Sequence, residues 1–179
     1  MNVRRATEDD CEMLYALWDE WVEQESPVPS WVQGASEGTR AGINTAVSSG
    51  SAVIAEERGE VLGFACGVMQ GMCIGDLTEL YVRPKARRRA IARELVRAVV
   101  AELSERGATF VTGGVALDNA AARSFYESAG FRPVELRLVA DVETLERRLA
   151  GLRGSSPGDE SEEEAGEGSR ARNPTRSTD

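Results

Sequence analysis

D-L-T-E-L-Y-V-R-P-K-A-R-R-R-A-I-A-R-E-L-V-R-A-V-V-A-E-L-S-E, residues Asp76 to Glu105, passes through three kinds of local structure in one run. Leu80 and Val82 alternate with Glu79 and Tyr81, the period of two that predicts a half-buried strand over Leu77–Val82. Pro84 ends it, because proline has no N–H to give to a ladder. From Ile91 the apolar residues fall at Leu95, Val96, Val99 and Leu103, the three-and-four spacing of an amphipathic helix. Between strand and helix, Arg87, Arg88 and Arg89 crowd a helix N-terminus with no acidic residue among them. Free amides and the positive end of the helix dipole already favour an anion there. Strand, basic turn and helix together predict a phosphate-binding loop.

Composition bounds what surrounds this unit. The 179 residues suffice for one domain with a sizeable core. A net charge of −9 argues against nucleic acid as the main partner. No apolar run reaches membrane-spanning length, and Met1-Asn2-Val3-Arg4-Arg5 leads into an acidic helix rather than a signal-peptide core. Cys11, Cys66 and Cys73 have neither the even count of a disulfide framework nor the spacing of a zinc site, so they read as thiols of a cytoplasmic protein and no metal is implied. Histidine is absent, which excludes every mechanism built on an imidazole base.

Within this frame V-R-P-K-A-R-R-R-A-I-A resembles the acyl-CoA loop of the GNAT superfamily of N-acetyltransferases. That loop reads Arg or Gln, two residues, Gly, one residue, then Gly or Ala. The match puts Arg87 first, Ala90 where glycine is usual, and Ala92 where alanine is accepted. A second segment, L-D-N-A-A-A-R-S-F-Y-E-S-A-G-F from Leu117 to Phe131, is similar to the family's Asn-x-x-Ala-x-x-x-Tyr-x-x-x-Gly-Phe, with Asn119, Ala122, Tyr126, Gly130 and Phe131 in place. The resemblance covers roughly Met1 to Asp141. It implies an α/β fold with a mixed central sheet of about six strands, two of them parallel and splayed around acetyl-CoA as cosubstrate. It also implies an amine acceptor and a reaction by direct attack in a ternary complex. The backbone around Leu80, Tyr81 and Val82 would face the thioester. The amides of Arg88, Arg89, Ala90, Ile91 and Ala92 would hold the pyrophosphate with help from the arginine side chains, and Asn119 and Ala122 belong to the second cofactor-side segment.

The rest of the chain can be laid on that plan. Strands are expected at Asn2–Arg5, Ser51–Glu57, Val61–Met69, Phe110–Val115 and Phe131–Val139. Arg58-Gly59 is a tight turn. Thr7 caps a first helix with Asp10 as its capping-box partner, and a second helix is expected over Ser36–Val47. Glu23, Glu25, Trp31 and Glu37 between them form either an acidic, aromatic mouth for a cationic amine or a solvated helix face with Trp31 on the core. Further helices are expected at Ala120–Ser128 and Asp141–Leu152, so the sheet either ends a strand early or is completed by a partner chain in a homodimer. The folded domain is assigned to 1–152. The linker and acidic, polar segment 153–179 cannot bury apolar area and are expected to be a disordered tail, with binding of a basic partner as the alternative.

Two side chains are singled out for chemistry. Glu79, on the central strand, is the candidate general base acting through a water, with Asp76 a weaker competitor; the alternative for Glu79 is an exposed strand carboxylate. Tyr126 matches the tyrosine that in many family members protonates the leaving thiolate; the alternative is a helix tyrosine packed on the sheet. Ala90 costs little if its backbone is helical, and about 1 kcal/mol or more if it is left-handed. That leaves a second functional class, a GNAT-fold module that senses acyl-CoA or binds protein without catalysis. A dinucleotide-binding fold is disfavoured, since the glycine-rich fingerprint is missing.

Overall fold

A computed structural model describes residues 1–24, 36–136 and 138–152. The chain divides into two units, residues 1–133 and 134 onward. In the first unit a five-stranded sheet runs in sequence order, β1 (Asn2–Arg5), β2 (Ala52–Glu57), β3 (Glu60–Met69), β4 (Ile74–Val82) and β5 (Phe110–Gly113). The first four strands are antiparallel, and β5 lies parallel to β4 after a helical crossover, as the spacing of the central unit requires. The expected turn is present between β2 and β3. Arg58 and Gly59 both take positive φ, 55° and 80°, the two left-handed residues that match the twist of a tight hairpin.

Each face of the sheet carries its own core. On one face α1 (Cys11–Gln24) and α2 (Ser36–Ser48) bring Leu14, Leu17, Trp18, Ile43 and Ala46 against Ile54, Phe64, Cys66 and Tyr81. On the other, α3 (Ile91–Glu105) buries Ile91, Leu95, Val96, Val99 and Leu103 against Val53, Ala65, Leu77 and Val82, the same stripe that its spacing predicts. The fit is close: a Cβ on Gly75 would stand 2.8 Å from Leu103 Cδ1, so only glycine lets α3 approach this near.

At the entry to α1, Asp10 accepts from Thr7 N–H at 2.8 Å and from Thr7 Oγ1 at 3.0 Å, the expected pairing of cap and third residue, across a short 3-10 turn at Glu8–Asp10. Arg4 clamps the same carboxylate with two further bonds and holds its pKa well below the usual range. The last turn of α1 is tied to the end of β4. Arg83 donates to both Glu20 oxygens at 2.9 and 2.5 Å and to Val61 O at 2.7 Å, while Tyr81 OH donates to Gln24 Oε1 at 3.0 Å.

One expected strand is absent. The described residues of 131–139 join no ladder, and the sheet ends at β5, which makes five strands rather than about six. The alternation of Val134, Leu136 and Leu138 is a strand signal, but a strand needs a neighbour to satisfy its amides, and the sequence beyond it forms a helix, α5 (Val142–Leu152), instead of a hairpin return. In the second unit α5 is the one element among the described residues. The expected tail, 153–179, lies outside the described residues, as do Glu25 and Trp31; Glu23 and Glu37 are described and exposed, in keeping with a solvated face.

Candidate active site

The central feature is a gap in the sheet. β4 and β5 pair from Ile74↔Phe110 to Leu77↔Gly113 and then part, leaving residues 78–82 of β4 without a strand partner on that edge among the described residues. Backbone directions along this stretch follow from two bonds. Arg83 N–H donates to Leu62 O at 2.9 Å, across the β3 side. Val82 O accepts from Arg87 Nε at 3.0 Å, away from β3. Successive residues of a strand present their polar groups to opposite edges. The N–H of Val82 therefore shares the open edge with its carbonyl. This is where the resemblance expects a thioester contact.

A β-bulge directs the side chains at the gap. Cys66 pairs with Glu79 and Gly67 with Leu77, so Thr78 is the extra residue. Without it, Glu79 would share the α3 face with Leu77; with it, Glu79 joins Tyr81 and Cys66 on the face covered by α1 and α2. Its Oε2 is buried with no hydrogen-bond partner among the described residues. Burial pushes the carboxyl pKa above its ordinary value, and the charge of Asp76 pushes it further, against a hydrogen bond from Thr78 that lowers it. The solvated-carboxylate reading of Glu79 is therefore not what this residue's surroundings describe. Asp76 is held differently: it accepts from Thr112 Oγ1 at 2.7 Å and from Gln70 Nε2 at 2.8 Å.

Tyr126 comes from the opposite side. It sits on α4 (Ala120–Ser128), packs with the α3-face core and lies 3.6 Å from the Cβ position of Gly113, the residue where the two parallel strands part. Phe131 meets its ring edge-on at 5.1 Å. Burial, and then the Asp76 charge, push the phenol pKa up to about 12, so it stays protonated through the ordinary range of assay. Glu79 and Tyr126 thus lie on opposite faces of the sheet, near where β4 and β5 part.

The loop after β4 fits an anion. Arg87 is extended, Arg88 has φ 62°, and Ala90 has φ 61° and ψ 10°. Ala90 is thus the left-handed residue of the two alternatives, and Arg88 is a second one. Backbone of this kind gathers amides into concavities that hold phosphate. Ala90 stands at the N-cap of α3 with no side-chain oxygen to cap it, and the first helical bond is Glu94 N–H to Ala90 O. The amides of Ile91, Ala92 and Arg93 precede that bond and remain for a ligand.

The other expected cofactor residues divide between backbone and scaffold. Tyr81 and Ile91 are buried side chains that can offer only main chain to a ligand, and Leu80 is half-buried on the α3 face. Arg87 is folded onto the strand end. Arg89 donates to both oxygens of Glu57, at 3.0 and 2.7 Å. Asn119 Oδ1 caps α4 by accepting from Ala122 N–H at 3.0 Å, so the motif pair Asn119 and Ala122 fixes the start of the helix that carries Tyr126. Sequence reasoning missed Thr78, whose bulge aims Glu79, and Cys66 opposite it; cross-strand register carries no local signal. Two shallow cavities, of about 360 and 260 Å³, do not coincide with the gap between β4 and β5. The first is beside Cys11 and Asn44, the second beside Lys85 and Arg89. The site itself is an open slot rather than either of these.

A sheet that parts beside a half-buried carboxylate, a protonated phenol and a loop with free amides is the arrangement that the resemblance to GNAT proteins implies. Comparison with known families agrees: residues 11–131 match the acetyltransferase (GNAT) family, and the chain belongs to it. Among solved structures it is similar to the aminoglycoside N-acetyltransferase AAC(6')-Iy in complex with the bisubstrate analogue CoA-S-monomethyl-acetylneamine, at 17% identity over 78% of this chain and 96% of that one, with a TM-score of 0.58. It is also similar to a predicted acetyltransferase with acetyl-CoA from Clostridium acetobutylicum, at 19% identity over 80% and 97% with a TM-score of 0.64. Ard1 from Thermoplasma volcanium matches at 20% identity over 75% and 84%, with a TM-score of 0.60. At these identities the likeness is one of fold. No curated protein matches the chain.

Proposed function

We propose that this GNAT protein transfers the acetyl group of acetyl-CoA to a primary amine by direct attack, with both substrates bound together. The observation that carries the reading is the buried Oε2 of Glu79, without a hydrogen-bond partner among the described residues, on the stretch of β4 beyond its pairing with β5. An acceptor amine must lose a proton to attack, and a carboxylate whose pKa is raised by burial is a better base than a solvated one. Glu79 takes that proton through a bridging water. The Val82 amide orients the carbonyl of the bound thioester, and the free amides at the start of α3 hold the pyrophosphate. Acetyl-CoA supplies the activated acyl group, and Tyr126 supplies the proton that its thiolate needs on leaving. One of the similar structures is an aminoglycoside N-acetyltransferase, which supports this choice of acceptor class. Free thiols at Cys11, Cys66 and Cys73 suit a reducing compartment, and the cytoplasm is the proposed location.

The test is calorimetric titration with acetyl-CoA, followed by release of CoA thiol across a panel of amines. Micromolar binding and amine-dependent thiol release are expected. Tyr126→Phe should lower kcat on the order of 10²-fold with acetyl-CoA affinity within about threefold; equal turnover would remove it as the acid. The left-handed Ala90 favours one competing reading, a module that binds acyl-CoA without catalysis. Tight binding with no thiol release on any amine would establish that reading instead.

A further inference from the structure

Arg83 follows Val82 where β4 leaves the sheet, and each of its polar groups is engaged. Its N–H donates to Leu62 O at 2.9 Å, and its carbonyl accepts from Ala86 N–H at 2.8 Å in the turn that leads to the anion-binding loop. The guanidinium donates to Val61 O at 2.7 Å and to both oxygens of Glu20, at 2.9 Å through Nε and 2.5 Å through Nη2. Two such parallel bonds fix the angle between the side chains as well as their distance. One turn further along α1, Gln24 Oε1 accepts from Tyr81 OH at 3.0 Å. The last turn of α1 is thus pinned to the residues on either side of Val82. Those pins also set it beside the proposed base. Tyr81 and Glu79 are successive residues on the α1 face of β4, about 7 Å apart along the strand. An amine that attacks a thioester held at the Val82 amide, and gives its proton toward Glu79, comes in on this face.

We infer that Arg83 and Glu20 are a positioning pair for the acceptor, holding the last turn of α1 as one wall of the amine's approach to Glu79. The inference rests on the acetyl-transfer reading and adds to it two side chains that touch neither the reacting atoms nor the phosphates. Packing alone accounts for the body of α1, since Leu14, Leu17 and Trp18 are buried in the core. The ion pair is not a core feature: its side chains stay 23% and 35% exposed, a setting in which a pair adds little to folding. What two parallel bonds do fix is where the end of the helix stands relative to the strand, and a wall displaced by about 1 Å is enough to spoil attack geometry. The acyl-CoA side has its own supports. Arg87 Nε donates to Val82 O at 3.0 Å, and the start of α3 is closed by the bond from Glu94 N–H to Ala90 O. Loss of the pair should therefore fall on the acceptor and spare acetyl-CoA.

The test is a double-mutant cycle of Glu20→Ala, Arg83→Met and both together in the full chain. Acceptor KM is read at saturating acetyl-CoA, with neamine, spermidine and a short peptide with a free N-terminus as acceptors, and acetyl-CoA binding is read by calorimetry. Each single variant should raise acceptor KM about 10-fold, and the double variant no more than about twofold further, because all three remove one interaction. The acetyl-CoA dissociation constant should stay within about threefold of the wild type. Glu20→Gln keeps the size and one acceptor oxygen, so its KM should lie between; it carries the test if Arg83→Met does not fold. A Glu20→Ala protein that is less stable but has an unchanged acceptor KM would overturn the inference and leave the transfer reading standing. Fully additive effects would overturn it too, by showing that the two residues act separately. So would acetyl-CoA binding weakened as much as acceptor KM. No thiol release by the wild type from any of the three amines would overturn the inference together with the transfer reading.

Discussion

Replacing Ala90 with glycine tests the loop most directly. Ala90 has φ 61° and ψ 10°, where the Cβ of an L-residue crowds the following carbonyl at a cost of about 1–2 kcal/mol. Glycine removes that strain but loses more freedom on folding, at about 0.5–1 kcal/mol. The difference leaves Ala90→Gly more stable than the wild type by roughly 0.5–1 kcal/mol, or about 1–4 °C in Tm for a chain of this size. Urea unfolding monitored by circular dichroism reads the first quantity and a thermal scan the second. With the same backbone at Ala90 in the free and the bound protein, the strain cancels between the two states. The acetyl-CoA dissociation constant in calorimetry should therefore stay within about threefold. A variant less stable than the wild type would refute the strain argument. A dissociation constant tightened more than about tenfold would show that the loop adopts this conformation only with ligand, or that the alanine methyl group obstructs the pyrophosphate.

Two further substitutions probe the gap and the packing behind it. Glu79→Gln should lower turnover by about 10²-fold and abolish the acidic limb of the pH–rate profile; an unchanged profile would remove Glu79 as the base. The same variant has a stability signature. Because the folded pKa of Glu79 is raised, its contribution is full below the unfolded carboxylate range and is lost as pH rises through the folded value. The variant should therefore gain on the wild type as pH rises from the unfolded carboxylate range through the folded value, and parallel stability curves would contradict the burial of this charge. Gly75→Ala should destabilise by about 1–3 kcal/mol in urea unfolding, since the new methyl must displace Leu103 from 2.8 Å; an unaffected variant would mean that α3 yields freely there.

Local pattern determined much of this protein. The alternation at Leu80–Val82, the stripe from Ile91 to Leu103, the Arg58-Gly59 turn and the helix at Ala120–Ser128 all stand where their spacing puts them, because period and turn chemistry are properties of neighbouring residues. The two cofactor-side motifs were legible for the same reason: each is a contiguous stretch. What tertiary structure decided is register and burial. The extra residue Thr78 moves Glu79 from one face of the sheet to the other, and that shift exists only relative to Cys66 and Gly67 on the neighbouring strand. Ala90 is left-handed because β4 must turn into α3 within a few residues, and nothing in the composition of R-R-R-A distinguishes that from a helical start. The segment 134–139 makes the same point in reverse. Its alternation fits a strand, yet a strand forms only against a partner, and the described residues of this segment join no ladder.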